Sequence, residues 1–253
     1  MDIAAVILWI IGMLALVSFS ALLGKKYGVE YVIGIMACLV VIANIIAGKV
    51  VVFGPFVVPA AVLVYAPTFL LTDIICEKWS KQEARKAVWI GFYANVVLVV
   101  AVLIAINWQA APFALDFSDK FSSVLGLVPR IVLASMVAYL ASQHHDVFAF
   151  ARWKEKTKGK HLWLRNTAST VVSQAIDTVI FITIAFYGVM DLGPLIVGQY
   201  VIKLIIAALD TPFIYVVTYL MDKIPVRVAA IVQSDNETST RDIPNNTGDK
   251  HGS

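Results

Sequence analysis

Charged residues are scarce in this 253-residue chain, in which Asp, Glu, Lys and Arg make up only 15%. A soluble globular domain usually has about 25% charged and about 45–50% apolar residues. Here 60% of the residues are hydrophobic, and the mean hydropathy is +0.82. This composition excludes an ordinary cytosolic enzyme, because too few polar residues are present to cover a water-soluble domain of this size. The net charge of +3 is too small to indicate a nucleic-acid partner.

Cysteine and the sequence signatures of catalysis are also nearly missing. Cys38 and Cys76 lie in or at the end of apolar runs, so we expect packing residues rather than a disulfide framework. The sequence has no P-loop, Gly-x-Ser-x-Gly, His-Glu-x-x-His or Cys-x-x-Cys motif. The adjacent His144 and His145 point in different directions on a helix and lack the spacing of zinc ligands. We therefore predict a protein that is not an enzyme and has no metal site or cofactor.

Long apolar runs are what the sequence does have. A helix needs about 20 mostly apolar residues to cross roughly 30 Å of hydrocarbon. Seven runs qualify, of which the third is short and is interrupted by Pro59 and Pro67. They cover residues 3–23, 31–52, 59–75, 87–106, 127–148, 167–190 and 194–220. The sequence thus predicts an all-α integral membrane protein, a bundle of seven transmembrane helices whose first run is a retained span rather than a signal peptide.

The loops differ sharply in basic residues. Fourteen of the 20 Lys and Arg lie in the loops after spans one, three and five and at the start of the tail. The opposite loops contain only Lys49 and Lys120. Because cytoplasmic loops have the excess of Lys and Arg, we expect a plasma-membrane protein with its amino terminus outside and its carboxyl terminus in the cytoplasm. Residues 1–223 would form one transmembrane domain and residues 224–253 a largely disordered tail.

One outer loop and one span contain features with two readings. Residues 110–125 mix charged and aromatic side chains, which is typical of either an amphipathic segment on the membrane surface or a plain loop. Ala43 and Ala47 in span two form a small-xxx-small face, suited to internal packing or to docking of a partner.

Pro212 follows Asp210 in span seven and is expected to open that helix locally.

Polar side chains within the apolar runs indicate where function resides, because a charge at the centre of a lipid-exposed helix costs about 2.5–3.5 kcal/mol. In span six a polar stripe at helical spacing ends at Asp177, about 15 Å along the axis. In span seven Lys203 is a possible partner for Asp177. Such groups either line a site or join helices by hydrogen bonds. The candidate substrate-binding residues are Asn44, Asp73, Glu77, Gln174, Asp177 and Lys203.

Several motifs resemble those of the queuosine precursor transporter family over about residues 44–220. They are TDIICE (72–77), KQEARK (81–86), WIGF (89–92), Arg130-Ile131, Ala138-Tyr139-Leu140, LWLRN (162–166), Gln174 with Asp177-Thr178, and Lys203 with Thr211-Pro212. The resemblance implies uptake of the 7-deazaguanine bases preQ0 and preQ1 for tRNA modification. It also implies kinship with the six-helix substrate-binding subunits of vitamin importers. Span one would then precede a core of about residues 31–221. Ser80 stands where the family commonly has glycine.

The implied ligand is a purine-like base with two adjacent N–H donors and a carbonyl on one edge. Asp177 or Glu77 can accept both donors, and Asn44 or Gln174 can serve the carbonyl. Phe181, Trp89 or Tyr200 can stack on the ring. Two modes of action are consistent with the sequence. The chain is either a self-sufficient carrier or a binding subunit that needs an ATP-driven partner, and a homo-oligomer is equally open.

Overall fold

The computed structural model describes residues 3–65, 67–156 and 162–223, with side chains except at residues 3, 143, 146–156, 162–170 and 211. The predicted tail, residues 224–253, lies outside them. In chain order the elements are α1 (Ile3–Tyr27), α2 (Val29–Ile46), β1 (Val50–Phe53), β2 (Phe56–Pro59), α3 (Val62–Tyr65), α4 (Pro67–Lys78), α5 (Lys81–Asn107), a 3₁₀ turn (Pro112–Ala114), α6 (Leu115–Leu125), α7 (Val128–Lys156), α8 (Leu162–Phe186) and α9 (Leu192–Lys223). The predicted all-α membrane architecture is confirmed.

Five helical segments of the described chain are long and apolar enough to cross a membrane. They are α1, α2, α5, α9 and the segment Pro112–Ser142, which includes the start of α7. In α8, whose side chains are described from residue 171, Val171–Phe186 is an apolar helical segment. The third predicted span is not one helix over residues 59–75, because the chain there is divided between the end of β2, α3 and α4. Pro67 is the first residue of α4, where no backbone donor is required.

A β-hairpin follows α2 where the sequence predicted the last turns of span two. Its strands pair antiparallel from Val50 with Pro59 to Phe53 with Phe56. The two-residue turn contains Gly54 at a φ of 56°, and tight hairpin turns favour glycine at such a position. A short run of apolar β-branched residues suits a strand as well as a buried helix, so hydropathy alone does not distinguish them. Because of this ambiguity, the sequence predicted helix where the structure has a hairpin.

The hairpin packs directly on α9. A Cβ atom at Gly198 would lie 2.2 Å from the carbonyl oxygen of Val57, so only glycine permits this approach of helix to strand backbone. The strand β2 then leads through Ala60, whose N–H donates to the carbonyl of Lys49 at 2.7 Å, into α3. The hairpin is therefore held between the end of α2 and the first turns of α9.

Helix α1 is an integral part of the bundle. Its buried face repeats at steps of three and four residues, as expected for an amphipathic helix, and packs against α2, α4 and α9. Each residue of that face is at most 3% exposed, and the residues are Val6, Ile10, Leu14, Val17 and Ala21. The helix that precedes the expected six-helix core thus contributes to the same apolar core.

The outer faces of the helices are apolar. On α5, Trp89, Tyr93 and Val97 are each more than half exposed, which suits contact with lipid rather than water. Helix α6 has no buried residue, and Phe117 is 72% exposed. The segment between spans four and five is thus an amphipathic helix, which decides against the plain loop. These faces fit the lipid bilayer that the sequence predicts as the partner of the protein.

Polar caps stabilise two helix ends near the bundle surfaces. Arg130 donates from Nε to the carbonyl of Ile184 and from its second terminal nitrogen to that of Tyr187, both at 2.6 Å. A cation there complements the carboxyl end of α8. The hydroxyl of Ser80 accepts from the N–H of Glu83 at 3.1 Å and caps α5. Ser80 therefore starts a helix.

Candidate functional site

A buried ion pair joins α8 to α9 in the bundle interior. The ammonium of Lys203 donates to Oδ2 of Asp177, and these residues are 6% and 8% exposed. The predicted partnership between Lys203 and Asp177 is confirmed. Removing two charges from water is costly, and each is tolerated only because the other compensates it. Such a pair is more expensive than a neutral interhelical hydrogen bond, so it marks a candidate site.

The ion pair lines a cavity that we call the first chamber. The cavity has about 410 Å³ of space, including the part open to solvent. Its walls come from α2, α3, α7, α8 and α9, and Ala61, which lies between β2 and α3, also lines it. Its polar lining consists of Asn44, Tyr65, Ser135, Asp177, Gln199 and Lys203. Five elements that are far apart in sequence thus converge on one polar space.

Helical spacing places further groups beside the ion pair. Phe181 follows Asp177 by one turn of α8, and Gln199 precedes Lys203 by one turn of α9, so each shares a face with its charged neighbour. Both line the first chamber. The ring of Phe181 is held edge-to-face against Phe186, with centroids 6.2 Å apart. The chamber therefore combines a carboxylate, an ammonium, amides and an aromatic ring.

A hydrogen bond between two buried amides connects α2 to α5. The Nδ2 of Asn44 donates to Oδ1 of Asn95 at 2.8 Å, and Nδ2 of Asn95 donates to the carbonyl of Gly91 at 2.9 Å. Asn95 is only 2% exposed. Asn95 is not among the predicted site residues, although a single amide within the apolar run 87–106 is a visible signal.

On the Asn95 side lies a larger cavity, the second chamber, with about 590 Å³ of space including the part open to solvent. Its polar lining consists of Tyr65, Thr68, Thr72, Asn95, Ser135 and Tyr139. None of its lining residues in the described chain is charged. Edge-to-face aromatic pairs border it, with centroids 5.3 Å apart for Phe92 and Tyr139 and 5.4 Å apart for Tyr65 and Phe69. It is a neutral chamber of hydroxyls, one amide and rings.

Three of the six predicted site residues, Asn44, Asp177 and Lys203, meet in the first chamber. The other three line neither chamber. Asp73 and Glu77 are exposed on α4, although their neighbour Thr72 faces the second chamber. Gln174 is half-buried on α8, and its Oε1 has no hydrogen-bond partner among the described residues.

Other sequence interpretations can also be compared with the structure. Of the three proposed stacking aromatics, Phe181 alone lines the first chamber, since Trp89 is 68% exposed and Tyr200 donates to the carbonyl of Val171 at 3.3 Å. Ala43 and Ala47 are 2% and 1% exposed and line the first chamber, which supports internal packing. Helix α9 continues through Pro212 rather than opening there.

Comparison with known proteins places these residues in a family. A family model described as "Putative vitamin uptake transporter" matches residues 59–217, more than half of the chain. The chain belongs to this transporter family. The prediction that it is not an enzyme is thereby confirmed. The match includes the ion pair and most of both chambers, whereas Asn44 on α2 lies before it.

Three named proteins are similar to this chain. A "Probable queuosine precursor transporter" from Bacillus subtilis is 32% identical over 158 residues, which are 60% of this chain and 68% of that one. A protein of the same name from Haemophilus influenzae is 30% identical over 49% of each chain. A "Queuosine precursor transporter" from Escherichia coli is 30% identical over 47% of this chain and 51% of its own. These names confirm the family that the motifs indicated, and no solved structure matches.

Proposed function

We propose that this transporter imports the 7-deazaguanine bases preQ0 and preQ1 across the plasma membrane and binds them in the first chamber. The observation that supports this most directly is the buried ion pair of Asp177 and Lys203 beside Phe181 in a polar cavity. The names of three similar proteins support the substrate class. The alignments with two of them span only about half of those proteins, so the substrate is taken from chemistry as well as from likeness.

The groups in the first chamber are complementary to the guanine-like edge. The carboxylate of Asp177 accepts from the two adjacent N–H donors of the base. Lys203 has three N–H donors, so it can keep its bond to Asp177 and still donate to the carbonyl of the base. The amides of Asn44 and Gln199 offer both donors and acceptors at the chamber wall. Phe181 presents a ring on which a flat base can stack.

The orientation that we propose puts the first chamber toward the outside. Excess Lys and Arg in the loops after spans one, three and five supports a cytoplasmic carboxyl terminus and an outer amino terminus. The first chamber then lies near the outer ends of α2 and α9, next to the hairpin. Substrate from outside would reach the ion pair before any other charged group of the bundle interior.

The alternative function is a binding subunit that delivers the base only with an energising partner or a second copy of the chain. The kinship with vitamin importers, which the motifs implied, supports this alternative. Proteoliposomes that contain only the purified protein distinguish the two. Accumulation or exchange of labelled preQ0 or preQ1 in them supports a self-sufficient carrier, whereas binding without transport supports the subunit.

Replacement of one carboxylate tests the proposed site. We expect Asp177→Asn to abolish most uptake of labelled preQ0 and preQ1 in cells that have no other route for these bases. The matched control is Asp222→Asn on α9, which alters an exposed ion pair with Lys78 at 2.7 Å. The control should import at the normal rate. If Asp177→Asn at equal expression imports as fast as the unaltered protein, the first chamber is not the binding site.

A further inference from the structure

We propose that the second chamber is a second station for the same base and that the hydrogen bond between Asn44 and Asn95 separates it from the first chamber. This inference rests on the proposed function. It adds a site that the sequence did not indicate, since none of the six predicted binding residues lines the second chamber. Substrate would pass from the charged chamber to the neutral one when the amide pair parts.

The two chambers adjoin each other at shared residues. Tyr65, at the end of α3, and Ser135, on α7, line both chambers. Asn44 lines the first and Asn95 the second, and the two side chains are bonded at 2.8 Å. The wall between the chambers therefore consists of two amides and two hydroxyl-bearing side chains.

The chambers follow each other along the bundle axis. Met36 and Val40 of the second chamber precede Ala43 of the first on α2, and Met36 is seven residues from Ala43, or about 10 Å of helix rise. On α7, which runs in the opposite direction, Tyr139 of the second chamber follows Ser135. In the proposed orientation the second chamber thus lies toward the cytoplasm, on the side where imported substrate leaves the protein.

The lining of the second chamber suits the same ligand with weaker attachment. A 7-deazaguanine base has a flat ring, and its guanine-like edge is uncharged. The amide of Asn95 and the hydroxyls of Thr72 and Tyr139 can exchange hydrogen bonds with its edge. The perpendicular rings of Phe92 and Tyr139 offer stacking and edge contacts. Without a carboxylate or ammonium in its described lining, this chamber favours release over retention.

Thiol labelling tests the proposal. In a background where Cys38 and Cys76 are replaced by serine, Thr72→Cys introduces one thiol into the second chamber and Ala61→Cys one into the first. Lys81→Cys, at the start of α5 and outside both chambers, is the control. Purified protein is labelled with a water-soluble maleimide with and without preQ1. We expect preQ1 to slow labelling of both chamber thiols severalfold and to leave Lys81→Cys unchanged.

The outcomes separate this inference from the proposed function. If preQ1 protects Ala61→Cys but not Thr72→Cys, the second chamber is not a station, and the proposed function stands. If preQ1 protects neither thiol and the protein shows no uptake, the proposed function fails and this inference with it. Protection of both supports the two-station route.

A second measurement tests the wall itself. In right-side-out vesicles, with the maleimide added outside, Thr72→Cys should react severalfold faster when Asn95→Ala removes the amide bond. An unchanged rate would overturn the role of the amide pair as the wall. Because the protection experiment leaves Asn95 intact, a folding defect of Asn95→Ala does not prevent the main test.

Discussion

The two chambers differ in how their polar groups are attached to the protein. In the first chamber a buried carboxylate and a buried ammonium on α8 and α9 face each other. In the second, the hydroxyl of Thr72 donates to the carbonyl of Thr68 at 2.9 Å and that of Thr68 to the carbonyl of Tyr65 at 2.5 Å. The ion pair depends on a partner helix, whereas these two hydroxyls are satisfied within their own segment.

This difference has energetic consequences. Breaking the ion pair leaves a lone charge inside the membrane domain, whereas removing a hydroxyl that bonds its own helix leaves almost nothing unsatisfied. We therefore expect substitutions in the first chamber to affect folding and affinity strongly. Substitutions in the second should mainly affect the rate of transfer.

The largest expected effect comes from removing one charge of the buried ion pair. Lys203→Met leaves Asp177 buried without its partner, which should lower the free energy of unfolding by about 3–5 kcal/mol and abolish uptake. In Asp177→Asn/Lys203→Met both charges are gone, and we expect stability to recover largely but uptake to stay absent. Thermal unfolding in detergent and uptake of labelled preQ1 measure the two effects. Normal uptake by the double variant would show that the pair is only structural.

An intermediate effect is expected where the hairpin contacts α9. Gly198→Ala would place a Cβ 2.2 Å from the carbonyl oxygen of Val57, and such overpacking typically costs about 1–3 kcal/mol. The displaced hairpin leads into the wall of the first chamber, so preQ1 binding there should weaken, as measured by protection of Ala61→Cys. Labelling of Thr72→Cys without ligand should not change.

Gly34→Ala is the matched control for this substitution. Gly34 also lies within a helix, and an added Cβ would meet nothing within 4 Å. Since alanine favours helix by about 1 kcal/mol over glycine, this variant should be as stable as the original or more so. Equal destabilisation by both substitutions would show that the contact with Val57 does not explain the effect.

The smallest effect is expected in the second chamber. Thr72→Val keeps the side-chain shape and removes a hydroxyl, a loss of about 0.5–1.5 kcal/mol for one hydrogen bond. We expect the apparent KM of uptake to stay constant and the maximal rate to fall by no more than about tenfold. Kinetics of preQ1 uptake at equal expression provide the measurement. A large rise in KM would assign primary binding to the second chamber and reverse the comparison.

Which of the predicted residues lie together in the first chamber follows from what a sequence pattern can report. Asp177 and Lys203 were recognisable because charges deep in apolar runs need partners, and that need holds whatever the arrangement of helices. Asp73 and Glu77 were selected for their chemistry, but the rotation of α4 leaves both exposed. Which face of a short helix points inward depends on its neighbours, and α4 meets α1, α5 and α9.

Hydropathy and charge distribution determined most of the architecture, because the cost of exposing polar backbone to lipid leaves long apolar runs few alternatives to helices. Tertiary structure decided the rest. The hairpin depends on the space that Gly198 leaves for Val57, and the wall between the chambers depends on Asn44 meeting Asn95, 51 residues away. Contacts between distant segments are set by how the helices pack, and one segment's own pattern contains no record of its partner.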